Sequence, residues 1–175
     1  MSRRTRVFAL IAALTLVPAT VQAGGKNDPV GTWLITVSVP GGDGDLLPPP
    51  EPFQQLVTFH KNGTVSETNN SLHANSEVPG ETLNFNGSDG QGVWDKGPKK
   101  TVRYRILKMV FDGFTDDFLG FLVMEGAAKI DGDVFTQSAQ DASISLVFDS
   151  DPENPDALWA TYGGADAMGS RVALD

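Results

Sequence analysis

The chain has 175 residues, of which 40% are hydrophobic and 20% charged, and it contains no cysteine. Ordinary apolar content at this length predicts a single globular domain, and the lack of cysteine excludes disulfides, thiol catalysis and zinc–thiolate sites. The formal charge of −9 argues against a nucleic-acid partner, because such proteins bind phosphates through a basic surface.

The N-terminus has the pattern of a targeting segment. Three arginines among the first six residues precede an apolar run from Val7 to Val17, and residues 21–23 match a small-x-small cleavage site. This run is shorter than the roughly 20 residues that span a bilayer. We predict a signal peptide over 1–23, using Sec export in preference to the twin-arginine route, because Arg6 stands where that motif favours an apolar residue. Cleavage would remove three arginines and no acid, leaving residues 24–175 with a charge of −12, secreted or periplasmic and without a membrane anchor.

The rest of the chain consists of short β-rich runs separated by Gly, Asn, Asp and Pro, the pattern of an all-β protein. The runs are Gly31–Val39, Gln54–Lys61, Thr64–Asn69, a run from Gly92, Val102–Phe111, Phe118–Ile130, Val134–Phe148, Ala157–Tyr162 and Gly169–Leu174. In the first run the odd-numbered residues carry the larger apolar side chains, so we expect them to face the core. About eight antiparallel strands with mostly short connections predict an up-and-down barrel, with a two-sheet sandwich as the alternative.

Two connections are long, residues 40–52 and 70–90, and loops of this length in a compact domain are typical of lids or binding segments. Two others carry hairpin signals. Asn62-Gly63 and Asp131-Gly132 lie between β-rich runs, and both dipeptides suit a type I′ turn.

A two-residue turn at Asn62-Gly63 would place four polar side chains on one face of the hairpin: Thr58, His60, Glu67 and Asn69. On a solvent face these are ordinary surface residues. Inside a barrel, Glu67 would have a raised pKa and His60 could exchange protons, making the two candidate catalytic residues. Thr58 and Asn69 would then be ligand contacts, together with Tyr104 on the long strand. The sequence leaves both alternatives open.

Val30-Gly31-Thr32-Trp33 resembles the Gly-x-Trp entry to the first strand of lipocalins and other calycin barrels. The resemblance implies an Arg on the last strand that covers this Trp and closes one end of the barrel, and Arg171 stands at the matching place. Gly31, Trp33 and Arg171 are therefore the expected structural plug. The wider pattern is similar to secreted bacterial lipocalin-like proteins, with the allene oxide cyclase and dirigent barrels as a related possibility.

No clustered metal ligands or cofactor motifs occur: His60 and His73 are the only histidines, and neither lies in a spaced ligand set. We therefore expect no metal and no cofactor. An eight-stranded barrel has room for one small ligand, which favours a secreted protein that binds a small apolar molecule. The allene oxide cyclase resemblance implies an alternative, a cofactor-independent isomerase or cyclase. A second alternative is a structural or interaction barrel with a packed interior. The sequence does not indicate the oligomeric state.

Overall fold

The structure is a computed structural model that describes residues 27–40, 51–69 and 85–173. The predicted signal peptide, His73 and most of the two predicted long loops lie outside these residues. The described part of the chain holds eleven strand segments: β1 (Gly31–Ser38), β2 (Phe53–Phe59), β3 (Thr64–Asn69), β4 (Phe85–Gly87), β5 (Gly90–Lys96), β6 (Thr101–Asp112), β7 (Phe118–Asp131), β8 (Val134–Gln137), β9 (Ala142–Val147), β10 (Leu158–Tyr162) and β11 (Asp166–Arg171).

These segments form one closed antiparallel barrel of eight strands, which confirms the predicted fold class. β4 and β5 pair with successive parts of β6, and β8 and β9 pair with successive parts of β7. β10 pairs with β9, and β11 pairs with β8. The segments β4 and β5 therefore act as one interrupted strand, as do β8 and β9, and β10 and β11, so the eleven segments make eight strands. β1 closes the sheet by pairing with both β2 and β11, and closure leaves no long edge exposed.

The two ends of the barrel differ. At the end that we call closed, tight turns join β2 to β3, β5 to β6 and β7 to β8, and β1 begins beside the end of β11. We call the opposite end open because its described connections are longer than the tight turns of the closed end. There β1 and β3 finish, the β6–β7 hairpin turns at residues 113–117, and β9 leads into the connection at 148–157. The predicted connections at 40–52 and 70–90 also follow strands that end here.

Strand parity explains which side chains fill the barrel. Along β1, Trp33, Ile35 and Val37 are buried while Leu34 and Thr36 are exposed, as predicted from the alternation of the sequence. The main core consists of Trp33, Ile35, Val37, Val39, Val57, Phe59, Val65, Val102, Ile106, Ala128, Ile130, Phe135, Ala165 and Ala167.

One predicted strand, Val134–Phe148, is interrupted. Ser138 caps a 3-10 turn at Ala139–Asp141, its hydroxyl accepting a hydrogen bond from the backbone N–H of Gln140 at 3.3 Å. Gly164, in the link between β10 and β11, packs so closely against this turn that a Cβ would lie 1.7 Å from the carbonyl oxygen of Ala139. Because Gly164 has no side chain, the interruption between β10 and β11 can lie directly beside the interruption between β8 and β9.

The two predicted type I′ turns are wrong in detail. That turn needs a positive φ at both central residues, whereas only Gly63 (φ +83°) and Gly132 (φ +64°) have one. In the first hairpin the N–H of Gly63 donates to the carbonyl of His60 at 3.1 Å, and the N–H of His60 donates to Thr64 at 2.9 Å. The loop therefore contains three residues, 61–63, with Gly63 as a left-handed bulge.

Candidate functional site

The closed end is sealed by Trp33 and Arg171. Trp33 is fully buried, and its indole Nε1 donates to the carbonyl of Pro29 at 2.8 Å. The guanidinium carbon of Arg171 lies 4.4 Å from the centroid of the Trp33 rings, a distance at which a cation attracts the face of an indole. The structure thus brings together the two side chains that the lipocalin resemblance paired.

Arg171 also fastens the chain that precedes β1. Its guanidinium donates to the carbonyl oxygens of Val30 and, at 2.6 Å, of Asp28, while its Nε donates to a carboxylate oxygen of Asp133 at 2.9 Å. Gly31 leaves the space for this contact. A Cβ there would lie 2.8 Å from Nη1 of Arg171, and its φ of +131° disfavours other residues.

A buried polar cluster lies across the middle of the barrel. Glu67 on β3 and Lys108 on β6 are each 2% exposed, and Lys108 Nζ lies 3.2 Å from Glu67 Oε2. Asn69 joins both groups, because its side-chain nitrogen donates to Glu67 Oε1 and its oxygen accepts from Lys108 Nζ at 3.2 Å. An acid, a base and an amide thus meet inside an otherwise apolar wall.

The sequence permits this contact through a glycine. β5 lies between β3 and β6, and its residue paired with Glu67 is Gly90. A Cβ at Gly90 would lie 2.7 Å from Glu67 Oε2 and 2.6 Å from Cγ2 of Ile106. Because Gly90 has no side chain, Glu67 and Lys108 reach each other over the intervening strand.

Burial raises the pKa of Glu67, since removing a carboxylate from water disfavours its charged form. The Lys108 charge and the hydrogen bonds of Lys108 and Asn69 oppose this change, and the charge of Asp89 adds to it. Glu67 Oε1 accepts from Asn69, and the Lys108 ammonium group lies 3.2 Å from Glu67 Oε2. Because a carboxylate oxygen has two lone pairs, Oε2 can accept one further hydrogen bond beside its contact with Lys108.

Tyr104 forms a second polar contact inside the barrel. Its hydroxyl donates to the side-chain oxygen of Gln137 at 2.5 Å, and the Gln137 amide donates to the carbonyl of Ala165 at 3.0 Å. Gly126, paired with Tyr104 on β7, leaves room for this hydroxyl, because a Cβ there would lie 2.6 Å from it. Burial raises the pKa of Tyr104 to about 12. The hydroxyl is committed to Gln137, and its predicted contact with a ligand stays a prediction.

The predicted grouping of four polar residues on one hairpin face is wrong. Glu67 and Asn69 point inward, but Thr58 and His60 lie on the outer face. Thr58 shares a hydrogen bond with the hydroxyl of Thr32 at 3.0 Å, and the exposed His60 ring lies 3.2 Å from the hydroxyl of Ser66. The cause is the three-residue loop, which pairs Val57 instead of Thr58 with Glu67. A register change of one residue reverses the face of every side chain.

The open half of the barrel has apolar walls. A second buried cluster there consists of Val110, Leu122, Leu146 and Ala160, with Phe85, Met124, Ile144 and Phe148 packed against it. The rings of Phe85 and Phe148 lie 5.8 Å apart in an edge-to-face arrangement. Lys108 is the inward residue of β6 that precedes Val110, so the polar cluster lies at the inner boundary of this apolar region.

A separate groove of about 450 Å³ lies on the outer wall, beside the 3-10 turn. Lys129, Asp141 and Asp166 contribute charged side chains to it, together with Thr101, Ala127, Thr136, Gln137 and Ser138. The N–H of Ala139 already donates to the carboxylate of Asp166 at 2.9 Å. The groove is open and mixed in polarity, and it is separate from the Glu67–Lys108 cluster.

Sequence reasoning missed Lys108, although a signal for it exists. The even-numbered residues of this run, Val102, Tyr104 and Ile106, alternate with two arginines, which indicates that the even-numbered side chains face the interior. The same alternation continued by two residues places Lys108 inside the barrel.

Comparisons with known proteins add no family. A scan of family models, a search of curated proteins and a search of solved structures each find no match for this chain. Within the described residues, no group of three or more His, Cys, Asp or Glu side chains is placed to hold a metal ion. The same residues include no helix with the length and hydropathy needed to cross a bilayer.

Proposed function

We propose that this chain is an exported, lipocalin-like barrel that binds a small, largely apolar molecule in the open half of its interior. The observation that carries the proposal is the Glu67–Lys108–Asn69 cluster, which is buried at the inner boundary of an apolar wall. In this proposal the wall holds the body of the ligand and the cluster holds its polar end.

The energetics of a buried ion pair support a binding role. Taking two charges out of water costs several kcal/mol per ion, and replacing such a pair by well-packed apolar side chains is often neutral or stabilising. Stability alone is therefore a weak reason to keep Glu67 and Lys108 inside a barrel. A few polar groups that fix the orientation of a ligand within apolar walls are, in contrast, the usual composition of a small-molecule site.

The chemistry of the cluster favours a neutral polar end group. Glu67 Oε2 has a second lone pair that can accept from a hydroxyl beside its contact with Lys108. The ammonium group of Lys108 can donate to a carbonyl or hydroxyl oxygen. A charged end group would be attracted by one member of the Glu67–Lys108 pair and repelled by the other, and removing its charge from water would add a further cost. We therefore expect an alcohol or a ketone to bind more tightly than the corresponding acid or amine.

The test is a series of ligands with one hydrocarbon chain and different end groups: an alkane, an alcohol, a methyl ketone, a carboxylic acid and an amine. Titration calorimetry with the purified protein should give the alcohol or ketone at least about a tenfold lower Kd than the alkane, which corresponds to about 1.4 kcal/mol. Glu67→Gln and Lys108→Met should reduce that preference. Thr58→Val, on the outer face, is the matched control and should leave it unchanged.

A barrel with a packed interior is the second candidate, favoured by the 2% exposure of both Glu67 and Lys108. In that case no member of the series binds, and the double variant Glu67→Leu/Lys108→Met melts at the same or a higher temperature. Binding that ignores the end group would contradict the role given to the cluster.

A further inference from the structure

The outer face of the β6–β7 hairpin carries an aromatic patch at the open end of the barrel. We define the aromatic patch as Met109, Phe111, Phe114, Phe118 and Phe121. Phe114 is 68% exposed, Met109 44% and Phe118 43%. The rings of Phe118 lie 5.9 Å from Phe111 and 5.3 Å from Phe121, both in edge-to-face contact.

This concentration is unusual for a surface hairpin. Four of the ten phenylalanines of the chain are in the patch, whereas solvent-facing residues of a sheet are ordinarily polar. Scattered apolar residues on a surface need no explanation, but a contiguous exposed patch marks an interaction site. The aromatic patch therefore has the character of a docking surface.

The hairpin turn holds the patch in a fixed arrangement. One carboxylate oxygen of Asp112 accepts hydrogen bonds from the N–H groups of Phe114 at 2.8 Å and Thr115 at 2.9 Å. The backbone N–H of Asp112 also donates to the carbonyl of Asp117 at 2.8 Å. A surface that is already ordered loses less entropy when a partner binds.

Acidic residues surround the patch. Residues 109–121 include three aspartates, and residues 148–158 include three aspartates and a glutamate, while neither segment contains Lys or Arg. The second segment begins next to the patch, because Phe121 pairs with Val147. Arg105, on the same outer face, is ion-paired with Glu125 and Glu153. Within residues 27–40, 51–69 and 85–173, the exposed cations lie toward the closed end: Lys61, Lys96, Lys99, Lys100, Arg103 and Lys129.

The negative charge around the aromatic patch favours some binding partners over others. Two copies meeting at their patches, or a patch meeting an anionic bilayer, would place like charges together. Segments 41–50 and 70–84 of the chain itself contain four acids and no Lys or Arg, so they are poor complements. A basic partner would instead gain ionic attraction at the rim and cation–π contacts with the rings.

We propose that the aromatic patch docks a polypeptide segment of another protein, one that presents apolar side chains flanked by Lys or Arg. The segment would cover Phe114 and Phe118 with its apolar residues, and its cations would face Asp116 and Asp117. This docking does not depend on a ligand inside the barrel.

The probes are two amphipathic helical peptides with the same leucine face, one with lysine and one with glutamate on the polar face, measured by fluorescence anisotropy. The lysine peptide should bind at least about tenfold more tightly than the glutamate peptide, and high salt should weaken its binding. Phe114→Ser/Phe118→Thr should raise its Kd at least about tenfold. Asp116→Asn/Asp117→Asn should reduce the salt dependence.

The matched control is Leu34→Ser/Met168→Ser, which removes two exposed apolar side chains from the opposite wall. It should leave peptide binding unchanged, and an equal loss in the control would overturn the proposal. So would equal binding of the two peptides, no detectable binding of the lysine peptide, retention of the protein on anionic lipid vesicles through Phe114 and Phe118, or a dimer in sedimentation that Phe114→Ser abolishes. The alcohol titration of the barrel interior is a separate readout, so failure of one proposal is distinguishable from failure of the other.

Discussion

At the scale of single residues, Glu67 and Lys108 are the clearest subjects for measurement. Each neutralises a charge that the apolar interior would otherwise leave uncompensated. Removing one partner of such a buried pair typically costs about 3–5 kcal/mol, because the remaining charge stays in low dielectric. We expect Lys108→Met alone to lose an amount of this order in urea denaturation, and Glu67→Leu/Lys108→Met to recover most of it.

The same variant has a pH signature. Burial already raises the pKa of Glu67, and removing the Lys108 charge raises it further. A carboxyl group with a raised pKa in the folded state favours folding while it is protonated, and this contribution is lost as pH increases from the unfolded value through the folded value. The loss caused by Lys108→Met should therefore be smaller at about pH 4 than at about pH 8. An equal loss at both values would show that Glu67 is not held in a low-dielectric site.

Tyr104 gives a prediction in alkali. Its pKa is about 12 in the folded protein and about 10 in an unfolded chain. Stability from the neutral hydroxyl is thus complete below about pH 10 and disappears as the pH rises through about 12, a change of about 2–3 kcal/mol. Tyr104→Phe should cost about 1 kcal/mol near neutral pH through the lost hydrogen bond. In strong alkali the variant should become the more stable protein. Lysine deprotonation is common to both proteins and cancels in the difference.

Residue patterns predicted part of the site. The hairpin pattern groups Glu67 and Asn69 on one face, and both lie inside the barrel. The same pattern adds Thr58 and His60 to that face, although they lie on the opposite one, and it does not include Lys108. The roles of Gly90 and Gly126 need the pairing of strands distant in sequence, which a single sequence does not specify.

At the scale of elements, the β2–β3 hairpin shows how the length of one turn determines which side chains face the interior. The inward residues of β1 were predicted correctly, because the alternation of apolar and polar residues within that strand is enough to identify them. The faces of β2 and β3 depended on loop length, and Asn-Gly suits both a two-residue type I′ turn and a three-residue loop with a bulge at glycine. The difference of one residue moved Thr58 and His60 outside.

Gly63 therefore offers a test of the observed turn. Its φ is +83°, and a Cβ would meet the carbonyl oxygen of Trp94 at an ordinary 3.5 Å, so strain in the backbone is the main cost of a side chain. Gly63→Ala should destabilise by about 1–2 kcal/mol. Gly63→Asn should lose less, because Asn adopts the left-handed conformation more readily. A type I′ turn would also require a positive φ at Asn62, so Asn62→Ala separates the two geometries: it should cost less than Gly63→Ala in the observed turn and a comparable amount in a type I′ turn.

At the scale of the whole molecule, the barrel is polarised. The closed end combines a packed aromatic core, the Trp33–Arg171 contact and most of the exposed cations. The open end combines apolar walls, the aromatic patch and a high density of acids. The predicted fold class rested on strand count and short connections, properties that local patterns contain. The separation of cations and acids between the two ends could not be predicted in this way, because it depends on which turns, distant in sequence, lie together once the barrel is closed.

The Trp33–Arg171 contact reinforces the closure of the barrel, because Arg171 joins the chain before β1 to the final strand. Trp33→Ala should destabilise by about 3–5 kcal/mol through the cavity it leaves. Arg171→Ala should cost about 1–4 kcal/mol through lost hydrogen bonds to the carbonyls of Asp28 and Val30 and lost stacking.

Since the guanidinium of Arg171 covers the Trp33 ring, the double variant should lose less stability than the two single losses combined. A double-mutant cycle from urea unfolding should give a coupling of about 0.5–2 kcal/mol. Arg171→Lys keeps the charge but not the planar group, and we expect it to restore only part of the coupling. Fully additive losses would mean that the ring and the guanidinium stabilise the barrel independently.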